Sequence, residues 1–134
     1  MNKFKIFFLG LMMMFGALAT NAQTYSYRAF SAAYKFTIDG RWSNWSNWQK
    51  VSTLITIDYD RDVIKVYADD PQVYVIYSYD GKYTDSSGGQ QVQFSVVDQD
   101  GDNGKVRLRI ETNGNSQLYV DFADLILCWN VRKI

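Results

Sequence analysis

Three tryptophans recur at every third position, at Trp42, Trp45 and Trp48. Trp has a large flat ring that can stack on a sugar ring, and a cation can lie over its face. A spacing of three places the rings on one side of a 3₁₀ or polyproline-like segment, whereas a regular strand would point Trp45 away from the other two. The spacing therefore predicts either an aromatic cap on the core or an exposed stacking platform.

The fragment Trp42-Ser43-Asn44-Trp45-Ser46-Asn47-Trp48 resembles the tryptophan ladder of thrombospondin type 1 repeats, in which arginines of a neighbouring strand lie between the rings. The cysteines of that family are missing here, so we do not assign the chain to it. The resemblance implies that a cation stacks on an indole face. The candidates in this sequence are Arg28, Arg41, Arg107 and Arg109.

Three alternate aspartates, Asp98, Asp100 and Asp102, can present carboxylate oxygens to a hard cation. They resemble the Asp-x-Asp-x-Asp-Gly calcium loop of EF-hand and dockerin families. Asn103 occupies the place of the glycine, and Arg109 that of the bidentate acid. Asp, Asn and Gly are also the usual residues of turns, so we predict a hairpin turn here and no metal site.

The composition gives little support to catalysis. There is no histidine, so the commonest general base and the Ser–His and Cys–His nucleophile pairs are absent. Paired aspartates can hydrolyse glycosides, but every candidate pair lies among turn residues, where no desolvation raises a carboxyl pKa. Cys128, between Leu127 and Trp129, is typical of a buried and inert thiol. We predict no catalytic residue, no cofactor and no enzymatic activity.

Residues 1–22 have the layout of a secretory signal peptide. Lys3 and Lys5 precede a short apolar run, and small residues precede Ala22. The apolar run is too short to span a bilayer. We predict cleavage after Ala22, with Ala19 as the alternative, no membrane span in the mature chain, and a periplasmic or extracellular location.

The predicted mature chain, residues 23–134, fits a single domain. It holds all 14 acidic residues and 12 of the 14 basic ones, which gives a net charge of −2. Near-neutrality argues against nucleic acid as a partner, because its binding needs a concentrated basic face. Cys128 is the only cysteine, so no disulfide can form within the chain and the domain must depend on its core.

Alternation of apolar and polar residues predicts an antiparallel meander of about eight strands. Its phase changes once within residues 25–38, which predicts a β-bulge near Ala29-Phe30. The strand after the tryptophans is expected to begin near residues 47–50. Asp80-Gly81 is expected to turn a hairpin into a short strand around Tyr83. The predicted fold is all-β, a small closed barrel, because closure removes long edges; a β-sandwich is the alternative.

The same alternation predicts the core. Eleven apolar side chains are expected to be buried: Phe36, Ile55, Ile57, Val66, Val75, Phe94, Val96, Leu108, Ile110, Val120 and Leu127. Trp48 lies nearest the regular strand, so it is predicted to join the core. Trp42 or Trp45 is predicted to be partly exposed and available for stacking.

Gly40-Arg41-Trp42 resembles the Gly-x-Trp that opens the first barrel strand in lipocalins and other calycins. In that family an arginine late in the barrel packs across the Trp. The resemblance implies that Arg132 packs across Trp42 in the same way. The resemblance implies a barrel that encloses a small apolar ligand. A signal peptide before a small β domain is also similar to many small uncharacterised exported proteins of Gram-negative bacteria, which implies no function.

We therefore predict a non-catalytic exported domain that binds a small apolar molecule or a glycan. The predicted ligand-binding residues are Trp42, Trp45, Tyr74, Tyr77 and Tyr79. The alternative is a module that docks on a partner protein or the envelope by an exposed Tyr-rich sheet face. A cavity lined by Tyr and Trp would favour the first function, and a filled interior with a flat aromatic patch outside would favour the second.

Overall fold

The structure, a computed structural model, describes residues 24–113 and 115–134. The predicted signal peptide lies outside the described residues. Every regular element in the described residues is a β-strand. The strands are β1 (Thr24–Ile38), β2 (Arg41–Trp42), β3 (Gln49–Asp58), β4 (Val63–Tyr67), β5 (Gln72–Thr84), β6 (Gln90–Asp98), β7 (Asn103–Ile110), β8 (Ser116–Asp121) and β9 (Leu125–Lys133). Within these same ranges, no helix has the length and apolar character needed to cross a membrane.

Eight of the strands form a closed antiparallel barrel. They are hydrogen-bonded in the order β1-β3-β4-β5-β6-β7-β8-β9, and β9 pairs back onto β1. The short β2 is an additional strand that pairs with the last residues of β1. The prediction of an all-β meander closed into a small barrel is confirmed, and so is the expected start of β3 at Gln49.

The long strand β1 joins the barrel to the tryptophan segment. Its register shifts between Ala29 and Ser31 against both neighbours, which confirms the predicted bulge. Pairing with β3 ends at Ala32, but pairing with β9 continues to Phe36. The last third of β1 is therefore not paired with β3 on that edge. Strand β2 and the residues after it hydrogen-bond there instead.

Side chains fill the barrel interior. Tyr27, Tyr74, Phe94 and Trp129 are the aromatic members of the core. Branched aliphatic residues from β3 to β9 surround them: Ile55, Ile57, Ile64, Val66, Ile76, Val96, Val106, Leu108, Leu118, Val120 and Val131. Leu127 is partly buried and packs against this cluster. Eight of the eleven predicted core residues therefore belong to the core or contact it.

Three predicted core residues are exposed instead, namely Phe36, Val75 and Ile110. Phe36 lies where β1 extends beyond its pairing with β3, and Ile110 is the last residue of β7. Val75 lies on the outer face because its neighbours Tyr74 and Ile76 point into the core. Both faces of β5 are apolar, so the alternation did not determine which face is buried.

The predicted hairpin at Asp80-Gly81 is wrong. Strand β5 continues to Thr84 and remains paired with β6, with register shifts between Ile76 and Ser78 and between Tyr79 and Gly81. Gly81 has a φ of 144°, which L side chains rarely adopt. Asp80 and Gly81 therefore form part of a β-bulge within β5 and not a turn between two strands.

Candidate functional site

The segment 43–48 runs along the free edge of β1 in a repeating pattern. The N–H of Ser43 donates to the carbonyl oxygen of Phe36 at 2.7 Å, and that of Ser46 to Tyr34 at 2.8 Å. The hydroxyl oxygens of the same serines accept the N–H groups of Phe36 at 3.1 Å and Tyr34 at 2.9 Å. Each three-residue unit thus hydrogen-bonds the N–H and the carbonyl oxygen of one β1 residue, and successive units bond residues two positions apart on β1. This pairing explains why the tryptophans recur at every third position.

All three tryptophans of this segment are exposed, by 44% at Trp42, 43% at Trp45 and 50% at Trp48. The prediction of partial exposure for Trp42 or Trp45 is confirmed. The prediction that Trp48 joins the core is wrong, because it still belongs to the irregular segment before β3 and Trp129 occupies the interior.

Lys35 lies between two of the indole rings. Its Nζ atom is 5.5 Å from the ring centroid of Trp42 and 5.0 Å from that of Trp45. Both distances lie within the range of cation–π attraction. The two indole rings therefore lie around one cation on the surface.

Tyr119 on β8 continues this row of rings across the barrel. Its ring centroid is 6.4 Å from that of Trp45, with an interplanar angle of 65°. The guanidinium carbon of Arg107 lies 4.2 Å from the Tyr119 centroid, and Arg107 donates to both carboxylate oxygens of Asp121. Burial raises the pKa of Tyr119 to about 12, so its hydroxyl remains a donor at neutral pH. We call Trp42, Lys35, Trp45, Tyr119 and Arg107 the aromatic row.

The aromatic row covers two small residues on the outside of the barrel. Ala33 pairs with Cys128, and Cys128 pairs with Tyr119. These small residues are only 4% and 2% exposed, although they point away from the core. The Trp45 ring reaches Tyr119 from the far side of β1, so it must pass over them. The predicted burial of Cys128 is confirmed, and this burial raises the pKa of its thiol to about 11.

The sequence analysis predicted that an arginine would stack on an indole face. Among the described residues, no arginine lies over an indole ring; Lys35 takes that place. The guanidinium carbon of Arg132 lies 4.7 Å from the ring centroid of Phe30, rather than over Trp42. The alternation in β1 places Lys35 on the outer face, but it does not place Lys35 near the tryptophans. Lys35, Trp42 and Trp45 come together only because residues 43–48 fold back and hydrogen-bond to the edge of β1.

A cavity of about 370 Å³ opens on the same outer face, near the β7–β8 turn. Amide, charged and aromatic side chains line it, among them Phe30, Glu111, Asn115, Gln117, Asn130 and Arg132. We call it the amide cavity.

Hydrogen bonds connect the amide cavity to the aromatic row. Gln117 Nε2 donates to Asn130 Oδ1 at 3.0 Å, and Asn130 Nδ2 donates to Ser31 Oγ at 2.8 Å. The hydroxyl of Tyr119 donates to Gln117 Oε1 at 2.9 Å. Cavity and row therefore form one continuous candidate site on the outer face of β1, β7, β8 and β9.

The three predicted tyrosines do not join this site. Tyr74 is buried in the core, where its hydroxyl bonds Gln72. Tyr77 is exposed on the outer face of β5. Tyr79 packs against Phe94 with 5.4 Å between ring centroids, and its hydroxyl donates to Asp62 at 2.6 Å. Trp42 and Trp45 are the predicted site residues that the structure brings together.

A second polar cluster lies on the outer face of β5, β6 and β7. Asp80 accepts hydrogen bonds from Ser95 Oγ at 2.7 Å, Lys105 Nζ at 2.9 Å and Ser78 Oγ at 2.9 Å. The bonds from Ser95 and Lys105 lower the pKa of Asp80 to about 2, and the bond to Asp80 raises the pKa of Lys105. A carboxylate with so low a pKa is a weak base and Lys105 stays protonated at neutral pH, so neither group is suited to act as a general base. The cluster ties the bulged part of β5 to its neighbours.

Asp80 is expected to contribute to acid sensitivity. Its pKa in the folded state lies below the ordinary 3.8, so its contribution is present above about pH 4 and is lost as the pH falls towards 2. The melting temperature of Asp80→Asn should therefore fall less between pH 5 and pH 2 than that of the wild type. Asp69→Asn, in the β4–β5 turn, is the control and should retain the wild-type slope. Parallel slopes for Asp80→Asn and the wild type would refute this role.

The aspartates of the β6–β7 turn come close together. Carboxylate oxygens of Asp98, Asp100 and Asp102 lie within 4.8 Å of one another. Asp98 Oδ1 also accepts the backbone N–H groups of Asp100 at 3.0 Å and Asp102 at 2.8 Å. The predicted hairpin turn is confirmed, since the N–H of Asp98 donates to the carbonyl of Asp102 at 3.0 Å.

Calcium is expected to leave the stability of the protein unchanged, because the bonds of Asp98 to the backbone already account for this turn. Millimolar calcium on a site of micromolar affinity would add about 4 kcal/mol to the free energy of unfolding. Thermal unfolding with calcium and then with chelator measures the effect. A melting temperature that rises with calcium and returns with chelator would contradict the expectation.

Comparison with known proteins gives no match: no family model matches the chain, and neither does any curated protein or solved structure. The function is therefore argued from the geometry and chemistry of the site.

Proposed function

We propose that this protein is a non-catalytic exported domain that binds a glycan on the outer face of β1, β7, β8 and β9. The observation that carries the proposal is the exposed aromatic row, in which Trp42 and Trp45 flank Lys35 and Trp45 continues to Tyr119. Sugar rings offer apolar C–H faces to aromatic rings and hydroxyl groups to amides. A row of rings beside amide side chains matches both features.

The rings are held in place before any ligand binds. Ser43 and Ser46 fix the segment to β1 by hydrogen bonds in both directions. Lys35 lies over the Trp42 and Trp45 rings, and Tyr119 makes an edge contact with Trp45. A rigid aromatic surface loses little conformational entropy on binding, so stacking energy is retained as affinity. Large exposed apolar groups held in this way are typical of interaction sites.

A ligand inside the barrel has less support. Phe94, Val96, Val106 and Val120 are fully buried and pack together in the interior. A small apolar ligand would have to displace these side chains at the cost of core packing. The proposed ligand therefore lies outside the barrel.

Binding is favoured over catalysis by the state of the acids near the site. Both carboxylate oxygens of Asp121 accept hydrogen bonds from Arg107. Glu111 lies 3.6 Å from Arg109 in an ion pair. An acid engaged in this way is poorly placed to exchange a proton with a glycosidic oxygen. The proposed location, periplasmic or extracellular, rests on the signal peptide predicted at residues 1–22.

A second candidate function is docking on a partner protein or the envelope. It is favoured by an apolar patch on the outer face of β4 and β5, where Tyr67, Val75 and Tyr77 are exposed by 49%, 48% and 61%. Val75 pairs with Val63 and Val97 on the adjacent strands, so the patch extends over three strands. This face is the Tyr-rich alternative that the sequence suggested, and the filled barrel interior is the outcome that was expected to favour it.

Retention on insoluble polysaccharides and on a glycan array tests the proposal. The mature chain, residues 23–134, is expected to be retained, and the double variant Trp42→Ala/Trp45→Ala is expected to lose retention. The matched control Tyr67→Ala/Tyr77→Ala removes two exposed rings from the other face and should bind as the wild type does. Loss in the tyrosine variant alone would move the site to β4 and β5. No retention of the wild type on any glycan would refute the proposal.

A further inference from the structure

The charges around the amide cavity are not balanced. Arg28 and Arg132 lie directly opposite each other on β1 and β9, and both are exposed on the outer face. Like charges in this arrangement repel and destabilise a sheet. Among the described residues, neither arginine forms an ion pair. Arg132 lines the cavity, so the uncompensated charge lies at its wall.

The remaining charges of the site are already paired. Arg107 bonds both carboxylate oxygens of Asp121, and Arg109 lies 3.3 Å from Asp85 and 3.6 Å from Glu111. Glu111 lines the cavity, but its carboxylate is directed to Arg109. Arg109 is shared by two acids, so its cluster keeps one negative charge, whereas Arg28 and Arg132 carry two positive charges. The net charge around the cavity is therefore positive, and Lys35 at the tryptophans is a further cation.

From these charges we infer that the amide cavity is the subsite for an acidic sugar unit, whose carboxylate or sulfate is bound by Arg132 with Arg28. This inference rests on the proposed glycan function and names the class of glycan. A guanidinium group presents a planar set of N–H donors that matches the oxygens of such an anion. The Phe30 ring beneath Arg132 holds the guanidinium plane at the cavity wall. The amides of Asn115, Gln117 and Asn130 are suited to sugar hydroxyls.

The site is long enough for several sugar units. Lys35 pairs with Ile126 on β9, six residues before Arg132. Six residues of strand extend over about 20 Å, so the two unpaired cations lie several sugar rings apart. The Trp45 and Tyr119 rings lie between them. An oligosaccharide with acidic groups near both ends would contact a cation at each end and aromatic rings in the middle.

The test measures affinity for three probes of equal length. They are a linear tetrasaccharide of uronic acid, its carboxyl-reduced neutral counterpart, and a sulfated derivative of that neutral compound. The wild type is expected to bind one or both acidic probes at least about 10-fold more tightly than the neutral one, since hydrogen bonds to charged groups are the stronger ones. Which acidic probe binds more tightly identifies the anion. The preference should weaken as salt rises.

Arginine variants test whether Arg28 and Arg132 cause the preference for acidic probes. Arg28→Gln/Arg132→Gln is expected to bind acidic and neutral probes alike and to keep the wild-type melting temperature or exceed it. Lys65→Gln, an exposed cation on β4, is the matched control and should keep the acidic preference. Equal wild-type affinities for all three probes would overturn the inference and leave glycan binding intact. Loss of preference in Lys65→Gln would also overturn it, since the attraction would then be non-specific. Failure of the wild type to bind any glycan in the array would instead refute the proposed function.

Discussion

Replacing Phe94 by Ala is expected to lower the free energy of unfolding by about 3–5 kcal/mol, as large-to-small changes in cores do. The Phe94 side chain is fully buried among the barrel strands. Its ring centroid also lies 6.0 Å from that of Tyr59 and 5.4 Å from that of Tyr79. Truncation therefore leaves a cavity and removes two aromatic contacts. Equilibrium unfolding in denaturant measures the change.

Val75→Ala is the matched control for this prediction. Val75 lies on the neighbouring strand, but its side chain is on the outer face and is 48% exposed. Its truncation is expected to cost less than about 1 kcal/mol. A loss below that value for Phe94→Ala, or equal losses for the two variants, would show that the inner and outer faces are assigned wrongly.

Replacing Trp45 by Ala is expected to weaken glycan binding more than any other single truncation in the aromatic row. Trp45 contacts both Lys35 and Tyr119, so its removal interrupts the row at the centre. Aromatic stacking on planar ligands contributes about 1–3 kcal/mol, which corresponds to about 5- to 150-fold in affinity. Titration with the glycan found in the array measures the loss. Trp48→Ala, which has no ring or cation partner among the described residues, should bind nearly as the wild type does.

The same variant has a second readout that needs no ligand. The Trp45 ring contacts Tyr119, which pairs with Cys128 and lies against its thiol, so Trp45→Ala is expected to expose the thiol and partly reverse the burial that raises its pKa. Labelling with a thiol reagent is expected to be faster than in the wild type, whereas Trp48→Ala should stay protected. A Trp45→Ala variant that labels as slowly as the wild type would disprove the covering role of the indole.

Features set by neighbouring residues were predictable from the sequence. The bulge after Ala29 is visible as a change of phase within one strand, and the start of β3 at Gln49 follows from where regular alternation begins. The phase of β5 was not predictable, because Tyr74 and Val75 are both apolar and either can face the core. Asp80-Gly81 has the chemistry of a turn. Its bonds to Ser95 and Lys105, on strands that come later in the chain, hold it in a bulge instead.

The candidate site depends on contacts between distant parts of the chain. Trp42 and Trp45 were predictable as exposed rings, since three tryptophans at this spacing cannot all enter one strand face. Tyr119 and the amide cavity were not, because they come to the tryptophans only when β9 closes onto β1. The hydrogen bond between Ser31 and Asn130 joins residues 99 positions apart. No local pattern specifies such a pair.

The most direct test of glycan binding at the aromatic row uses the indole N–H signals of the four tryptophans in a nuclear magnetic resonance titration. Three of them, from Trp42, Trp45 and Trp48, belong to exposed side chains, and the fourth, from Trp129, reports on the barrel interior. Addition of the bound glycan is expected to shift the signals of Trp42 and Trp45 in a saturable way and to leave that of Trp129 unchanged. Saturable shifts of Trp129 alone, or no shift of Trp42 and Trp45 at saturation, would contradict the account.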